Sequence, residues 1–364
     1  KNHSGGSTTI GGTDKKAILE KDVNIDVETT GSNPSFTLRR LDNKNGTGGG
    51  NISVINPGTL NIISDTLKLA GFTISGKNGG VSNLAANLIS GVFTYSDAGT
   101  NAGSLYSYGN TFDGASGFTF NGTVAGSFFE SYNSAPNGNV YKGNAVFTTA
   151  SPADLTIGYH RSVTFEAGLS VTRTVAGATG ILVNNGSVGG NFSYANEAGG
   201  STTIGKDGGS VTVTGKVDIL TDASEGNPSF SLYKLSNETT GGEIEIKNAG
   251  TFNIIDNNLS VTGMKVLNKN GGGSSLGNNV ISGIFTYSDA GTNTGALYSY
   301  GNIFDGASGF TFNGVAASQF FESYNSAPDG NVYKGNAVFT TASPAPLTIG
   351  YHRSVTFEAG LSVT

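Results

Sequence analysis

The polar residues best suited to catalysis are few, and they recur in two copies of one segment. His160, Arg161 and Glu166 lie close together in the chain. The second copy contains the same three residues, as His352, Arg353 and Glu358. An imidazole and a carboxylate on one strand face could act as general base and general acid. No nucleophile or third partner stands at a recognisable spacing, so we interpret the group as surface charge and predict no catalytic residue.

The carboxylates do not form the pair that polysaccharide hydrolysis requires. Such enzymes place two acidic side chains on either side of the scissile bond. Here Asp113, Glu130 and Asp154 are scattered, and Pro346 stands where the second copy of Asp154 would be. We therefore expect that the chain is not an enzyme. A carbohydrate-binding or polysaccharide-cleaving β-helix is kept as the alternative.

One loop could bind a metal ion. Asp97–Gly103 reads DAGTNAG, and its second copy, Asp289–Gly295, reads DAGTNTG. The Asp and Asn oxygens, together with backbone carbonyls, could coordinate Ca²⁺. The loop has few carboxylates and lacks the known calcium-loop signatures, so we interpret it as a polar turn. No cofactor is expected, with Ca²⁺ as the one ion considered.

Recurring tyrosines are the candidate contacts for a partner. Aromatic rings on an outer face can bind sugars or another protein chain. We interpret these rings mainly as packing residues, and name them as candidate contacts for a partner chain or a cell-surface glycan. They are Tyr106, Tyr108, Tyr132 and Tyr159, with their second copies Tyr298, Tyr300, Tyr324 and Tyr351.

The composition excludes several function classes. Only 13% of the 364 residues are charged, the net charge is −6, and no basic stripe is visible, so nucleic-acid binding is not expected. No run of about 18 apolar residues is present, so we expect no membrane insertion. The chain has 57 glycines and no cysteine. Frequent Gly, Asn, Ser and Thr between Val, Ile, Phe and Tyr indicate an all-β protein with many tight turns.

The chain consists of two tandem copies of one unit. Residues 89–172 return almost unchanged as 281–364, shifted by 192 positions, and the preceding halves repeat more loosely. Because the second copy stops where the first continues into Arg173, we expect a piece of a longer repetitive protein. The predicted divisions are unit 1 at 1–196 (variable half 1–88, near-identical half 89–172, connector 173–196) and unit 2 at 197–364 (variable half 197–280, near-identical half 281–364).

Short alternating segments predict the fold. Phe118–Phe120, Val163–Phe165 and Val211–Val213 each place a polar residue between two apolar ones, and a glycine follows each segment within three residues. This period of two is that of a strand with one buried face. Similar segments return about every 27 residues, which predicts a parallel β-helix, or β-solenoid, with about seven coils per unit. The alternative is a series of tandem β-sandwich domains.

Four segments of the near-identical half combine glycine, asparagine and phenylalanine in a similar way. They are Gly109–Gly114, Gly117–Gly122, Gly143–Thr148 and Ser162–Gly168. They resemble the repeats of giant, cysteine-poor surface proteins of Bacteroidota, including gliding adhesins and hook- or filament-forming proteins. The resemblance implies export through the type 9 secretion pathway and display on the cell surface.

These observations favour a structural or adhesive role. Near-identical tandem copies lengthen a stiff segment, whereas duplicating an enzyme inside one repeat needs a separate explanation. The sequence therefore predicts an extracellular β-solenoid that forms a rod, or part of a homo-oligomeric fibre or hook. Its expected partners are further repeats of the same chain, other copies of itself, or cell-surface glycans.

Overall fold

The fold is a parallel β-solenoid. A computed structural model describes residues 6–29, 34–122, 127–132, 137–222, 228–314, 319–324 and 329–364. The described part of the chain contains strands and turns and no helix. It divides into two compact units, Lys1–Gly190 and Asn191–Thr364. Within each unit the chain contributes strands in rotation to three parallel sheets that surround one core.

The strands are numbered in chain order, and in the first unit they form three sheets. The first sheet contains β1 (Thr8–Gly11), β4 (Ser35–Arg39), β7 (Thr59–Ile63), β10 (Ser82–Ala85), β13 (Leu105–Tyr108), β16 (Phe128–Glu130), β19 (Leu155–Thr156) and β22 (Thr179–Ile181). The second contains β2 (Ala17–Ile18), β5 (Leu41–Asp42), β8 (Thr66–Leu67), β11 (Leu88–Ile89), β14 (Thr111–Phe112), β17 (Val140–Tyr141), β20 (Val163–Phe165) and β23 (Gly186–Val188). The third contains β3 (Ile25–Glu28), β6 (Asn51–Ile55), β9 (Gly71–Lys77), β12 (Val92–Asp97), β15 (Ser116–Phe120), β18 (Ala145–Thr149) and β21 (Leu169–Arg173).

The second unit has the same arrangement. Its first sheet contains β25 (Thr202–Ile204), β28 (Ser229–Tyr233), β31 (Thr251–Ile255), β34 (Ser274–Gly277), β37 (Leu297–Tyr300), β40 (Phe320–Glu322) and β43 (Leu347–Thr348). The second contains β26 (Val211–Val213), β29 (Leu235–Asn237), β32 (Asn258–Leu259), β35 (Val280–Ile281), β38 (Ile303–Phe304), β41 (Val332–Tyr333) and β44 (Thr356–Phe357). The third contains β24 (Phe192–Asn196), β27 (Val217–Asp222), β30 (Glu243–Lys247), β33 (Gly263–Lys269), β36 (Ile284–Asp289), β39 (Ser308–Phe312), β42 (Ala337–Thr341) and β45 (Leu361–Val363).

Alternation determines which side chains enter the core. In β15 the residues Ser116, Phe118 and Phe120 are buried, and the two between them are partly exposed. Register then places like residues above one another: Phe118 pairs with Phe147 of the next coil, and the two rings stack at 4.9 Å between centroids. The predicted solenoid is confirmed. The β-sandwich alternative is wrong because the strand pairs of the described residues are parallel, whereas sandwich sheets are antiparallel.

The predicted coil length of about 27 residues is too long. Strands of the first sheet begin 22 to 27 residues apart within each unit of the described chain. The glycine-rich segment Gly271–Ser275 has the composition of a turn, yet Ser274 and Ser275 belong to β34. Three adjacent glycines concealed a strand whose buried residues include Ser274 and Leu276.

The corner between the first and second sheets has a fixed backbone conformation. Ser64, Ala86 and Gly109 occupy this corner in three successive coils, with φ angles of 60°, 55° and 66°. This left-handed conformation turns the chain sharply and is tolerated best by glycine and asparagine. The residue after each of these three has a buried side chain. These residues are Asp65, Asn87 and Asn110, and they belong to a row of hydrogen-bonded side chains that is described below.

Candidate functional site

A ladder of buried asparagines runs along the corner of the first unit. Asn87, Asn110 and Asn139 are each at most 2% exposed and come from three successive coils. The Nδ2 of Asn87 donates to the Oδ1 of Asn110 at 2.9 Å, and the Nδ2 of Asn110 donates to the Oδ1 of Asn139 at 3.1 Å. Backbone amides of Asn87 and Asn110 donate to the same two oxygens. Each internal carboxamide is therefore bonded on both sides, as burial of a polar group requires.

A buried glutamate lies where this ladder ends. The backbone amide of Asn139 donates to the Oγ of Ser131, which in turn donates to Glu130 at 2.6 Å. Glu130 also accepts a bond from the amide of Gly158 at 2.7 Å. Burial raises the pKa of Glu130 to about 7, although these two hydrogen bonds act in the opposite direction. The carboxyl group thus links its own coil, through Ser131, to the next coil, through Gly158.

An aspartate starts the ladder in the first unit. Asp65 accepts a bond from the amide of Leu41 at 2.7 Å, and its own amide donates to the Oδ1 of Asn87 at 3.0 Å. Its second carboxylate oxygen is buried without a hydrogen-bond partner. Burial raises the pKa of Asp65 to about 7. An amide is the better fit here, because this position needs a donor toward the next coil.

The second unit has that amide. Asn257 lies where the first unit has Asp65, and its Nδ2 donates to the Oδ1 of Asn279 at 2.9 Å and to the carbonyl of Leu232 at 3.0 Å. The ladder continues from Asn279 to Asn302 at 2.9 Å and from Asn302 to Asn331 at 3.0 Å. Both units thus contain the same ladder of buried side chains, and they differ at its first position.

A buried lysine lies at the corner where the third sheet ends. Lys77 is the last residue of β9 and is 0% exposed. Its Nζ donates to the Oδ1 of Asn101 at 3.0 Å and to the carbonyls of Gly103 and Gly79 at 3.0 and 3.2 Å. The Nδ2 of Asn101 in turn donates to the Oδ2 of Asp97 at 3.0 Å. The interpretation of Asp97–Gly103 as a simple polar turn therefore missed a tightly bonded internal network.

This network includes oxygens of the loop Asp97–Gly103 that could coordinate Ca²⁺. Two of the oxygens that could coordinate Ca²⁺, the Oδ1 of Asn101 and the carbonyl of Gly103, accept hydrogen bonds from the Nζ of Lys77 in the preceding coil. The sequence does not predict this contact, because Lys77 lies 24 residues before Asn101 and lysine is usually an exposed residue. Among the described residues, no group of three or more His, Cys, Asp or Glu side chains could hold a metal ion.

Arg173 makes a similar network at the same corner of a later coil. It is the last residue of β21 and is 2% exposed. Its guanidinium donates to the carbonyls of Ser151 and Ala153 at 2.9 and 3.0 Å and to that of Val175 at 2.8 Å. Lys77 and Arg173 thus both place a buried nitrogen donor at this corner, where it bonds backbone carbonyls.

An aromatic cluster lies on the outside of the first unit. We define it as Tyr106, Phe129, Tyr132, Tyr159 and His160. Tyr106 and Phe129 stack at 5.5 Å between centroids, Tyr132 and Tyr159 stack at 5.7 Å, and His160 packs edge-on against Tyr159 at 4.2 Å. Tyr159 is 40% exposed. The corresponding cluster of the second unit consists of Tyr298, Phe321, Tyr324, Tyr351 and His352.

The structure brings together some of the predicted contact residues and not others. Tyr106, Tyr132 and Tyr159 share the cluster, as do Tyr298, Tyr324 and Tyr351. Tyr108 and Tyr300 lie outside both clusters, and Tyr300 packs against the backbone of Gly277. Sequence reasoning missed Phe129, although its neighbour Phe128 is buried and alternation would have placed it outside.

The residues considered for catalysis occupy different environments. Asp113 forms a salt bridge of 2.7 Å with Lys142 on the surface, Glu130 is buried in the ladder, and Asp154 is exposed. His160 packs against Tyr132 and Tyr159, and Glu166 is exposed on the coil surface. These five side chains therefore do not form the pair of a catalytic acid and a catalytic base.

No helix in the described part of the chain is long and apolar enough to cross a membrane. Comparisons of the whole chain with models of known protein families, with curated proteins and with solved structures found no match.

Proposed function

We propose that each unit is a structural segment of an extracellular surface protein, built to keep its coils together under tension. The observation that carries the proposal is the ladder of buried amides, which recurs in both units with nearly the same distances. Its hydrogen bonds link one coil to the next along the stack. Two units with the same interior are what a repeated mechanical element needs.

The sheets add to the cohesion between coils. Neighbouring coils within a unit are joined by parallel strand pairs in all three sheets, with five paired positions between β15 and β18. Buried rings stack in the same direction, as Phe112 and Tyr141 do at 5.0 Å. Separating two coils therefore breaks backbone bonds, amide bonds and aromatic contacts together, which makes the separation cooperative.

Two features support a location outside the cell. The chain has no cysteine and one methionine, so few side chains can be oxidised. The tandem repeats resemble those of exported surface proteins of Bacteroidota. In such a setting the partners are further repeats of the same chain or other copies of it.

A carbohydrate-binding role is the second candidate, because the aromatic cluster leaves part of its rings uncovered. Tyr159 is 40% exposed and Tyr351 is 46% exposed. Aromatic faces of this kind can stack against sugar rings. The cluster rings pack mainly on one another, which equally stabilises neighbouring coils, and for this reason the structural role is preferred.

A glycan array and a reducing-sugar assay separate the two roles. For the structural role we expect neither selective binding nor sugar release by the full chain. Tyr159→Ala with Tyr351→Ala tests the two clusters, and Tyr108→Ala with Tyr300→Ala is the matched control outside them. Selective binding or sugar release that the first pair of substitutions abolishes and the second pair leaves intact would establish the carbohydrate role instead.

A further inference from the structure

A buried amine and a buried carboxamide face each other between two coils of the first unit. The Nζ of Lys77 lies 3.0 Å from the Oδ1 of Asn101, which is 24 residues further along the chain. Because a C=O bond is about 1.23 Å long, Nζ lies within about 4.2 Å of the Cγ of Asn101. Lys77 is 0% exposed and Asn101 is 1% exposed. The carbonyls of Gly79 and Gly103 hold the amine in this position.

A carboxyl group contacts the other end of the same carboxamide. The Oδ2 of Asp97 lies 3.0 Å from the Nδ2 of Asn101, and Asp97 is also paired in strand register with Lys77. Burial lowers the pKa of Lys77 to about 8 and raises the pKa of Asp97. Both shifts favour the uncharged forms, a nucleophilic amine and a protonated acid.

We propose that Lys77 and Asn101 join through an intramolecular isopeptide bond, with Asp97 as the proton carrier. The Nζ of the neutral lysine attacks the Cγ of Asn101, so that the Nζ–Cγ bond forms and the Cγ–Nδ2 bond breaks. Asp97 gives its proton to the departing Nδ2 and regains one from the attacking nitrogen. The products are a secondary amide and one molecule of ammonia, and no oxidant, reductant or other reactant is consumed.

The same three residue types are arranged in the same way in the second unit. The Nζ of Lys269 lies 2.9 Å from the Oδ1 of Asn293, and the Nδ2 of Asn293 lies 3.1 Å from the Oδ2 of Asp289. Burial lowers the pKa of Lys269 to about 8. The flanking segments differ between the units, since Lys77 follows Ser75 and Gly76 whereas Lys269 follows Leu267 and Asn268. The arrangement of lysine, asparagine and aspartate is therefore the same in both units, although the residues before the lysine differ.

Arg173 shows that a cation alone can fill this corner. Its guanidinium bonds the surrounding carbonyls in a similar way, yet it has no nucleophilic amine. A buried donor at this corner therefore does not require a lysine with an asparagine and an aspartate beside it. The occurrence of all three residues in both units calls for a separate explanation. The isopeptide bond would close a covalent ring across two coils, so that the segment between residues 77 and 101 could not unravel.

Mass spectrometry of the intact, denatured full chain tests the proposal. We expect a mass below that of the sequence by two ammonia molecules, about 34 Da. Proteolysis should release one peptide in which Lys77 is joined to Asn101 and another in which Lys269 is joined to Asn293. The folded chain is first incubated at pH 9. If its mass then equals that of the sequence, and the peptides that contain Lys77 and Asn101 are not joined, the proposal is wrong.

Two substitutions make the assignment specific. Lys77→Arg keeps a hydrogen-bond donor in the corner and removes the nucleophile, and Asp97→Asn keeps the shape and removes the proton carrier. Each should abolish the Lys77 cross-link and leave the Lys269 cross-link as an internal control of folding. Cyclisation of an Asn–Gly pair also releases ammonia, so the joined peptides decide the outcome. A mass deficit that persists unchanged in Lys77→Arg would contradict the assignment.

Discussion

Replacing Asp65 with asparagine should stabilise the chain by roughly 2–4 kcal/mol at pH 8. Asp65 starts the amide ladder, and one of its carboxylate oxygens is buried without a partner. Asn257 supplies a donor at the equivalent position of the second unit. The substitution therefore removes a buried charge and adds the hydrogen bonds that the second unit already makes.

The gain should depend on pH in a defined direction. Burial raises the pKa of Asp65 to about 7 in the folded chain, from an ordinary value of 3.8. The folded state then binds more protons than the unfolded state between these values, so the contribution of Asp65 to stability falls as pH rises from about 4 to 7 and is constant above. Asp65→Asn removes this dependence, and its benefit shrinks to about 1 kcal/mol or less at pH 4.

Urea unfolding of the full chain at pH 4 and pH 8 measures this effect. Asn257→Asp is the matched control, because it places the same carboxylate in the ladder of the second unit and should destabilise it most at pH 8. If Asp65→Asn and the parent chain were equally stable at pH 8, the prediction would be wrong. The result would mean that both carboxylate oxygens of Asp65 have hydrogen-bond partners in the folded chain.

Truncating Phe118 should cost about 3–5 kcal/mol of unfolding free energy. The ring is 1% exposed and packs between Phe93 and Phe147, at 5.4 and 4.9 Å between centroids, with Phe128 at 5.5 Å. Phe118→Ala leaves a cavity that these rings can fill only partly, since each belongs to a different strand with its own register.

Chemical denaturation together with amide hydrogen exchange locates this loss. Phe118→Ala should speed exchange in β12, β15 and β18, and Phe310→Ala should do so in the equivalent strands of the second unit. Thr119→Ala, one position along on the outer face, is the control and should change stability by less than about 0.5 kcal/mol. A loss of similar size in Thr119→Ala would mean that the faces of β15 are assigned wrongly.

Much of the fold could be predicted from the sequence because the relevant patterns are local. Alternation in segments such as Phe118–Phe120 predicts a strand and its buried face without knowledge of the partner strand. The repeat of 192 residues indicates a stacked architecture. The coil length was overestimated because Gly271–Gly273 conceal the start of β34, whose buried face depends on packing against neighbouring coils.

The internal polar networks could not be predicted in the same way. Asn110 lies in the segment Gly109–Gly114, and its role depends on Asn87 and Asn139, which lie 23 and 29 residues away. Lys77 contacts Asn101 only because the coil returns the chain to the same corner. Sequence spacing reveals such contacts once the coil length is known, and a coil length in error by a few residues conceals them.

Stretching the full chain between handles at its two ends tests the structural role most directly. If the coils of each unit are held together cooperatively, the force should rise to distinct peaks, and each peak should release the length of several coils. One coil of about 24 residues releases about 80 Å of extended chain. Smooth extension without force peaks, as an unfolded chain shows, would contradict the proposal that these units are built to keep their coils together under tension.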